Sequence, residues 1–392
     1  MGHRTTLAVC VALTLGTGTV ASAQPADTSA SAGQQDTPLL KRFQFDQGGG
    51  LHFTPHFAVV FGGIKPGSGM AVGPAISQKL RDGSYVQVKG VYSIRDFKLL
   101  QARYDSRPLF HGRSILSTRV RWQDAPILSL YALGPDAPDR RVEYGERKTA
   151  WNTVLTAAIA PALVVAGGTG IERYATSAGD LAKPGDTLPF VPLLPGLGTY
   201  PWFVHSYIGG SYDTRRSPEY SRTGRLAEGS LHDYHDWHDG QDSFRRVELA
   251  AEQRVATFHD RRISDDARGG LVLGARAWLS QSSDSRSVPF FLMPTLGGGN
   301  YLRGYSTYRF RDRNALLLSA EYDWAVHKMV DVAARYETGK VAPRVGDLML
   351  DGMAQSAGIG LRIHSKTAGL FRVDLAGGRD GFKLAFGVSA GS

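Results

Sequence analysis

The chain has 392 residues, 45 Lys and Arg against 36 Asp and Glu, a formal charge of +9, and 47 glycines. That glycine share is well above the usual ~7%, and the length allows one large domain or two ordinary ones. A single cysteine, Cys10, excludes a disulfide framework and a thiolate metal centre.

Residues 1–23 read as a secretory signal, with a basic start at Arg4, an apolar run from Leu7 to Leu15, and Ala21-Ser22-Ala23 before Gln24. The apolar run is too short to span a bilayer, and Cys10 lies inside it, which argues against lipid attachment there. Export removes nucleic acid as a partner for the basic surplus. Anionic lipid headgroups, lipopolysaccharide or a basic lumen remain, and arginine that solvates a pore and its loops is the simplest of these readings. Residues 24–50, rich in Ser, Ala, Gln and Asp, predict a flexible periplasmic tail.

From residue 51 onward the dominant period is two. Strands are expected near 51–61, 69–79, 84–93, 97–105, 114–122, 141–149, 151–160, 163–172, 204–212, 220–229, 244–258, 269–281, 314–326, 329–339, 355–364, 369–377 and 382–389. The one stretch long enough for a membrane helix, Asn152 to Ile171, contains Pro161, Gly167, Gly168 and Gly170, and so reads as two strands and a tight turn. Alternation is clearest late in the chain. Leu316, Leu318, Ala320, Tyr322 and Trp324 share one face, with Leu317, Ser319, Glu321 and Asp323 on the other. Val330, Val332, Ala334 and Tyr336 stand against Asp331, Ala333, Arg335 and Glu337 in the same way, and Phe371, Val373 and Leu375 against Arg372 and Asp374.

A soluble sandwich also alternates, but here the polar face of a single strand holds several charges and the apolar face ends in aromatics, as interfacial girdles do. The pattern predicts an all-β transmembrane antiparallel barrel over residues 51–392. Even strand numbers prevail in single-chain barrels, and the count settles at about 16, uncertain by one over 123–160.

One segment departs from ordinary loop chemistry, Leu296-Gly297-Gly298-Gly299-Asn300-Tyr301-Leu302-Arg303-Gly304-Tyr305. It resembles the Arg-Gly-Tyr or Arg-Gly-Phe loop tip of the surface-antigen barrel superfamily that includes BamA, TamA and the two-partner secretion transporters. Tyr336-Glu337-Thr338-Gly339-Lys340-Val341 is similar to that family's aromatic-acid-x-Gly strand, and Phe371-Arg372-Val373-Asp374 with Gly381-Phe382 to its last two strands. Gly62-Gly63-Ile64-Lys65-Pro66-Gly67-Ser68-Gly69 resembles the opening hairpin of a branch without periplasmic modules. The resemblance implies a long extracellular loop folded into the lumen, with Gly298, Gly299, Arg303, Gly304 and Tyr305 at its tip. It also implies an inward carboxylate for Arg303, first Glu337, then Asp374 and Glu321. A guanidinium can pair bidentately with such a group in a confined space.

The resemblance further implies a non-covalent role in protein or lipid assembly or translocation at the outer membrane, with outer-membrane lipids, lipopolysaccharide and client polypeptides as partners and no cofactor. The chain departs from the family in three ways. Glu337 stands where Asp is usual, the chain ends Ala390-Gly391-Ser392 in place of an aromatic, and no stretch is long enough for POTRA modules. Pro55 falls within the expected first strand, where it removes a ladder donor and would weaken a seam between first and last strands. Two other functions compete. One is a passive pore with mild anion preference; the other is a surface enzyme or adhesin resting on His232-Asp233-Tyr234-His235-Asp236-Trp237-His238-Asp239-Gly240-Gln241-Asp242, read as a polar loop. Neither a Gly-x-Ser-x-Gly elbow nor a phosphate loop occurs, so no catalytic residue and no metal is expected.

Overall fold

Alternation with a period of two becomes a strand only where every backbone donor finds a partner, and in lipid that requires an antiparallel sheet rolled into a barrel. A computed structural model describes residues 50–54, 56–178, 194–215, 221–238, 240–258, 267–283, 287–364 and 369–388. The expected signal, the tail up to residue 49 and Pro55 lie outside the described residues.

The strands are β1 (Gly50–His52), β2 (Phe57–Gly62), β3 (Ala71–Lys79), β4 (Tyr85–Ser93), β5 (Lys98–Asp105), β6 (Ser114–Leu130), β7 (Val142–Ala160), β8 (Leu163–Ala178), β9 (Trp202–Asp213) and β10 (Gly224–Asp236). They continue as β11 (Phe244–Thr257), β12 (Gly269–Gln281), β13 (Thr295–Leu296), β14 (Phe310–Arg311), β15 (Asn314–His327), β16 (Val330–Ala342), β17 (Ala354–His364), β18 (Gly369–Gly378) and β19 (Gly381–Val388). Antiparallel registers run in chain order from β1 to β12, from β12 to β15, and on to β19. Only β13 and β14 stand apart, as a small hairpin within the loop that follows β12. The barrel wall thus has sixteen principal strands, and the three-residue β1 lies on the free edge of β2, with Leu51 opposite Val59. The ladder of strands therefore ends at the β1–β2 hairpin on one side and at β19 on the other.

The division of the chain into strands changes at two places. Residues 141–149 and 151–160 form one continuous strand, β7, because Glu146, Lys148 and Ala150 turn inward in an unbroken alternation opposite Ala125, Gln123 and Arg121 of β6. Conversely, the expected first strand divides into β1 and β2, folded on each other as a hairpin. One merger offsets the one split, and the total stays at sixteen plus the short β1.

Side chains sort by face as the alternation requires. Outward positions such as Val88, Leu100, Val120, Leu155, Ile159, Ile208, Ile359, Leu384 and Phe386 are exposed apolar residues. So much contiguous apolar surface is untenable in water but is the natural surface of a barrel in hydrocarbon. Inward positions carry the charge, among them Lys89, Arg121, Glu146, Lys148, Glu172, Arg246, Glu248, Glu337 and Asp374, all buried.

At the end that bears the longer connections, the lumen is filled by an apolar cluster. Ile64, Leu194 and the segment Val288 to Met293 pack onto Tyr144, Tyr174, Phe203, Tyr234 and Phe244 of the wall. A single 3-10 turn, Phe290–Leu292, centres this plug, with the Phe290 ring edge-on to Tyr144 at 4.9 Å and Phe291 stacked on Tyr174 at 4.9 Å.

Candidate functional site: a loop clamped inside the barrel

In the connection from β12 to β15, residues 287–313 turn back into the lumen. Their inward course is set locally by glycine. Gly297 and Gly298 have φ of +110° and +102°, and a Cβ at Gly297 would lie 2.3 Å from the Ser306 carbonyl, so only glycine fits there. Leu302 takes φ +50°, an uncommon left-handed conformation for a branched residue. Full burial holds it in place, beside Leu296 and above Gly339 of β16, whose missing side chain provides the room.

Arg303 follows directly and is buried. Its guanidinium Nη1 lies 3.3 Å from Asp374 on β18 and 3.5 Å from Glu321 on β15, and Nε donates to the Gly299 carbonyl at 3.1 Å. Its backbone N–H donates to Glu337 Oε2 on β16 at 2.9 Å, and the next N–H, of Gly304, donates to Ser356 Oγ on β17 at 2.7 Å. All three carboxylates singled out in the sequence therefore converge on this loop, in a different division of labour. Glu337 takes the backbone of Arg303 rather than its guanidinium.

Three further arginines complete the network. Arg335 bridges Glu321 at 2.5 Å and Glu337 at 3.1 Å, and Arg362 bridges Glu321 at 3.2 Å and Asp374 at 2.7 Å. Arg372 adds a contact to Asp374 at 3.3 Å and donates to Gly299 O at 3.2 Å. Glu321 and Asp374 each meet three cations, and Glu337 meets Arg335 and the Arg303 N–H, so that no buried carboxylate is left alone. Gly304 abuts the backbone of β18, where a Cβ would meet the Gly377 carbonyl carbon at 2.4 Å. The Tyr305 ring covers Gly378, its hydroxyl accepts from the Arg379 N–H at 3.3 Å, and the ring meets Phe310 edge-on at 5.0 Å. Gly299 faces Ala385 of β19, and Gly298 packs on Thr307 within the loop.

Sequence reasoning missed a second anchor of the same loop. Arg309 is fully buried, donates to Asp380 in the β18–β19 turn at 2.6 Å, lies 3.5 Å from Asp139, and covers the Tyr131 and Phe310 rings. Ser356, Arg335 and Arg362 were likewise unmarked. Alternation puts both arginines on polar strand faces without giving them a role beside the loop, whereas nothing distinguishes Ser356 from any other strand serine.

The His-rich segment is not wholly a loop. Residues 232–236 complete β10, because His232, Tyr234 and Asp236 continue its inward alternation. His232 Nδ1 lies 3.0 Å from His205 Nε2, its Nε2 lies 2.9 Å from Ser230 Oγ, and the His205 ring stacks on Tyr234 at 4.0 Å. Among the described residues no group of three or more His, Cys, Asp or Glu is placed to hold a metal ion.

At the level of sequence, neither a family profile nor a curated protein matches this chain. Solved structures do. BamA from Haemophilus ducreyi lacking POTRA domains 1–3 superposes with a TM-score of 0.62 at 14% identity, over 88% of this chain and 70% of that one. The fold is that of a BamA-type outer-membrane barrel. CdiB from Escherichia coli and from Acinetobacter baumannii match this BamA-like barrel with TM-scores of 0.54 and 0.50 at 13% and 12% identity. They do so over 86% and 84% of it and 62% and 56% of their own lengths, so it spans less than two thirds of either CdiB chain.

Proposed function

We propose that this BamA-like barrel resides in the bacterial outer membrane and acts there in the assembly or translocation of protein or lipid, without covalent chemistry. The Arg303 loop braces the lumen wall, and the seam between the β1–β2 edge and β19 is where a client strand or a lipid meets the barrel. One observation carries this reading. The loop is fastened to β15, β16, β17 and β18 and to the β18–β19 turn, within the last five strands of the wall, which end at the seam. A loop so placed governs how far the last hairpin can move relative to β2.

The passive pore is the second reading, favoured by the inward cations Arg119, Arg121 and Lys148. Against it stand the apolar plug and the buried Arg303 and Arg309, which occupy the space an open channel needs. Depleting the protein and comparing outer-membrane protein and lipid content tests the proposal. A selective fall in particular outer-membrane proteins, or a change in lipid distribution, is expected. An unchanged outer membrane together with a steady, high conductance of the purified protein in planar bilayers would establish the pore.

A further inference from the structure

Arg303 is not the only arginine that leaves a connection to pair with the inner wall. The turn between β9 and β10, at the opposite mouth of the barrel, carries Arg215 and Arg222, both buried. Arg215 stays local, pairing with Asp213 at 3.0 Å and with Glu252 of β11 at 2.9 Å. Arg222 does not. Its stem runs past Gly270 of β12, where a Cβ would lie 3.0 Å from Arg222 Cδ, and its guanidinium reaches Asp331 of β16 at 2.6 Å and Asp323 of β15 at 3.8 Å. His364 of β17 lies 3.4 Å from the other oxygen of Asp331.

These carboxylates adjoin those that hold Arg303. Asp323 and Glu321 share the inward face of β15 two residues apart, and Asp331 sits directly opposite Arg362 in the β16–β17 register. Arg362 in turn pairs with Glu321 and Asp374, the two acids that the Arg303 guanidinium meets. Arms from opposite ends of the barrel therefore rest on one ladder of charge, with Arg362 between them. From this geometry we infer that Arg222 is a strap coupled to the Arg303 loop through Arg362, so that freeing either arm loosens the other. The physical reason is charge balance. Without Arg222, buried Asp331 and half-buried Asp323 lose a cation, Arg362 is the cation directly across from Asp331, and any shift of Arg362 toward it weakens its hold on Glu321 and Asp374.

Hydrogen exchange on the full-length protein in detergent reads this directly, with heat-modifiable gel mobility confirming that each variant keeps its barrel. Arg222→Ala should accelerate exchange in residues 297–305 by at least about twofold, the low end of coupling between charges in one network. Arg215→Ala, a loss of charge from the same turn but not from this ladder, should leave residues 297–305 at the parent rate. If Arg222→Ala does not fold, Arg222→Lys serves in its place, and faster exchange at 297–305 is again expected. Parent-like exchange at 297–305 in the Arg222 variant would overturn the coupling, as would an equal effect from Arg215→Ala.

Discussion

Arg303 secures its loop by two kinds of contact, a guanidinium shared between Asp374 and Glu321 and a backbone N–H given to Glu337. Arg303→Ala removes only the first kind. The carboxylates keep Arg335, Arg362 and Arg372, so the loss should amount to about 1–3 kcal/mol of loop stability, with the barrel intact. Limited proteolysis should then cut within residues 297–310 in the variant and spare the parent. Gly304→Ala acts differently, because its new Cβ meets the backbone of Gly377 and no flexible side chain can yield. It should displace the loop tip as much as losing Arg303 does, seen as loss of protection of the Gly304 N–H, which now donates to Ser356. Arg303 and its three carboxylates were legible because the resemblance to the surface-antigen barrels implied an inward acid for the arginine, and alternation put Glu321, Glu337 and Asp374 on polar strand faces. Which atom of Arg303 meets which acid was not legible, since Leu302 turns the backbone through a left-handed step that no propensity foretells.

At the scale of strands, alternation located nearly every element, because burial against lipid on one side and a filled lumen on the other imposes a strict period of two. It failed where composition imitated a loop. The imidazoles and carboxylates of 232–236 resembled a polar turn although half of them face inward, and the break expected at Ala150 lies within the continuous β7. The same alternation yields a paired prediction. Leu155 and Thr156 are adjacent in β7, with Leu155 exposed on the outer face and Thr156 turned toward the lumen. Leu155→Arg places a cation in hydrocarbon and should cost about 2–4 kcal/mol near the midplane, whereas Thr156→Arg should cost much less. Reversible denaturant unfolding in lipid vesicles compares the two, and equal costs would mean that the faces have been misassigned.

For the molecule as a whole, the lumen is stopped at the longer-loop end by the apolar plug around Phe290 and along the wall by the Arg303 and Arg222 arms. Purified protein in planar bilayers should therefore show low, intermittent conductance, and Arg303→Ala should raise its open fraction. Neither the plug nor the strap was legible in the sequence, because each depends on contacts between connections far apart in the chain, such as Phe290 N–H to the Pro195 carbonyl. Everything in this account rests on lipid meeting one face of the strands while packed loops and charge meet the other. The described residues contain no cysteine, so single cysteines from 316 to 323 on β15 in a bilayer-reconstituted protein report the two faces cleanly. Labels at 316, 318, 320 and 322 should be quenched by a lipid-confined agent and those at 317, 319, 321 and 323 should not; quenching without a period of two, or with the faces exchanged, would contradict it.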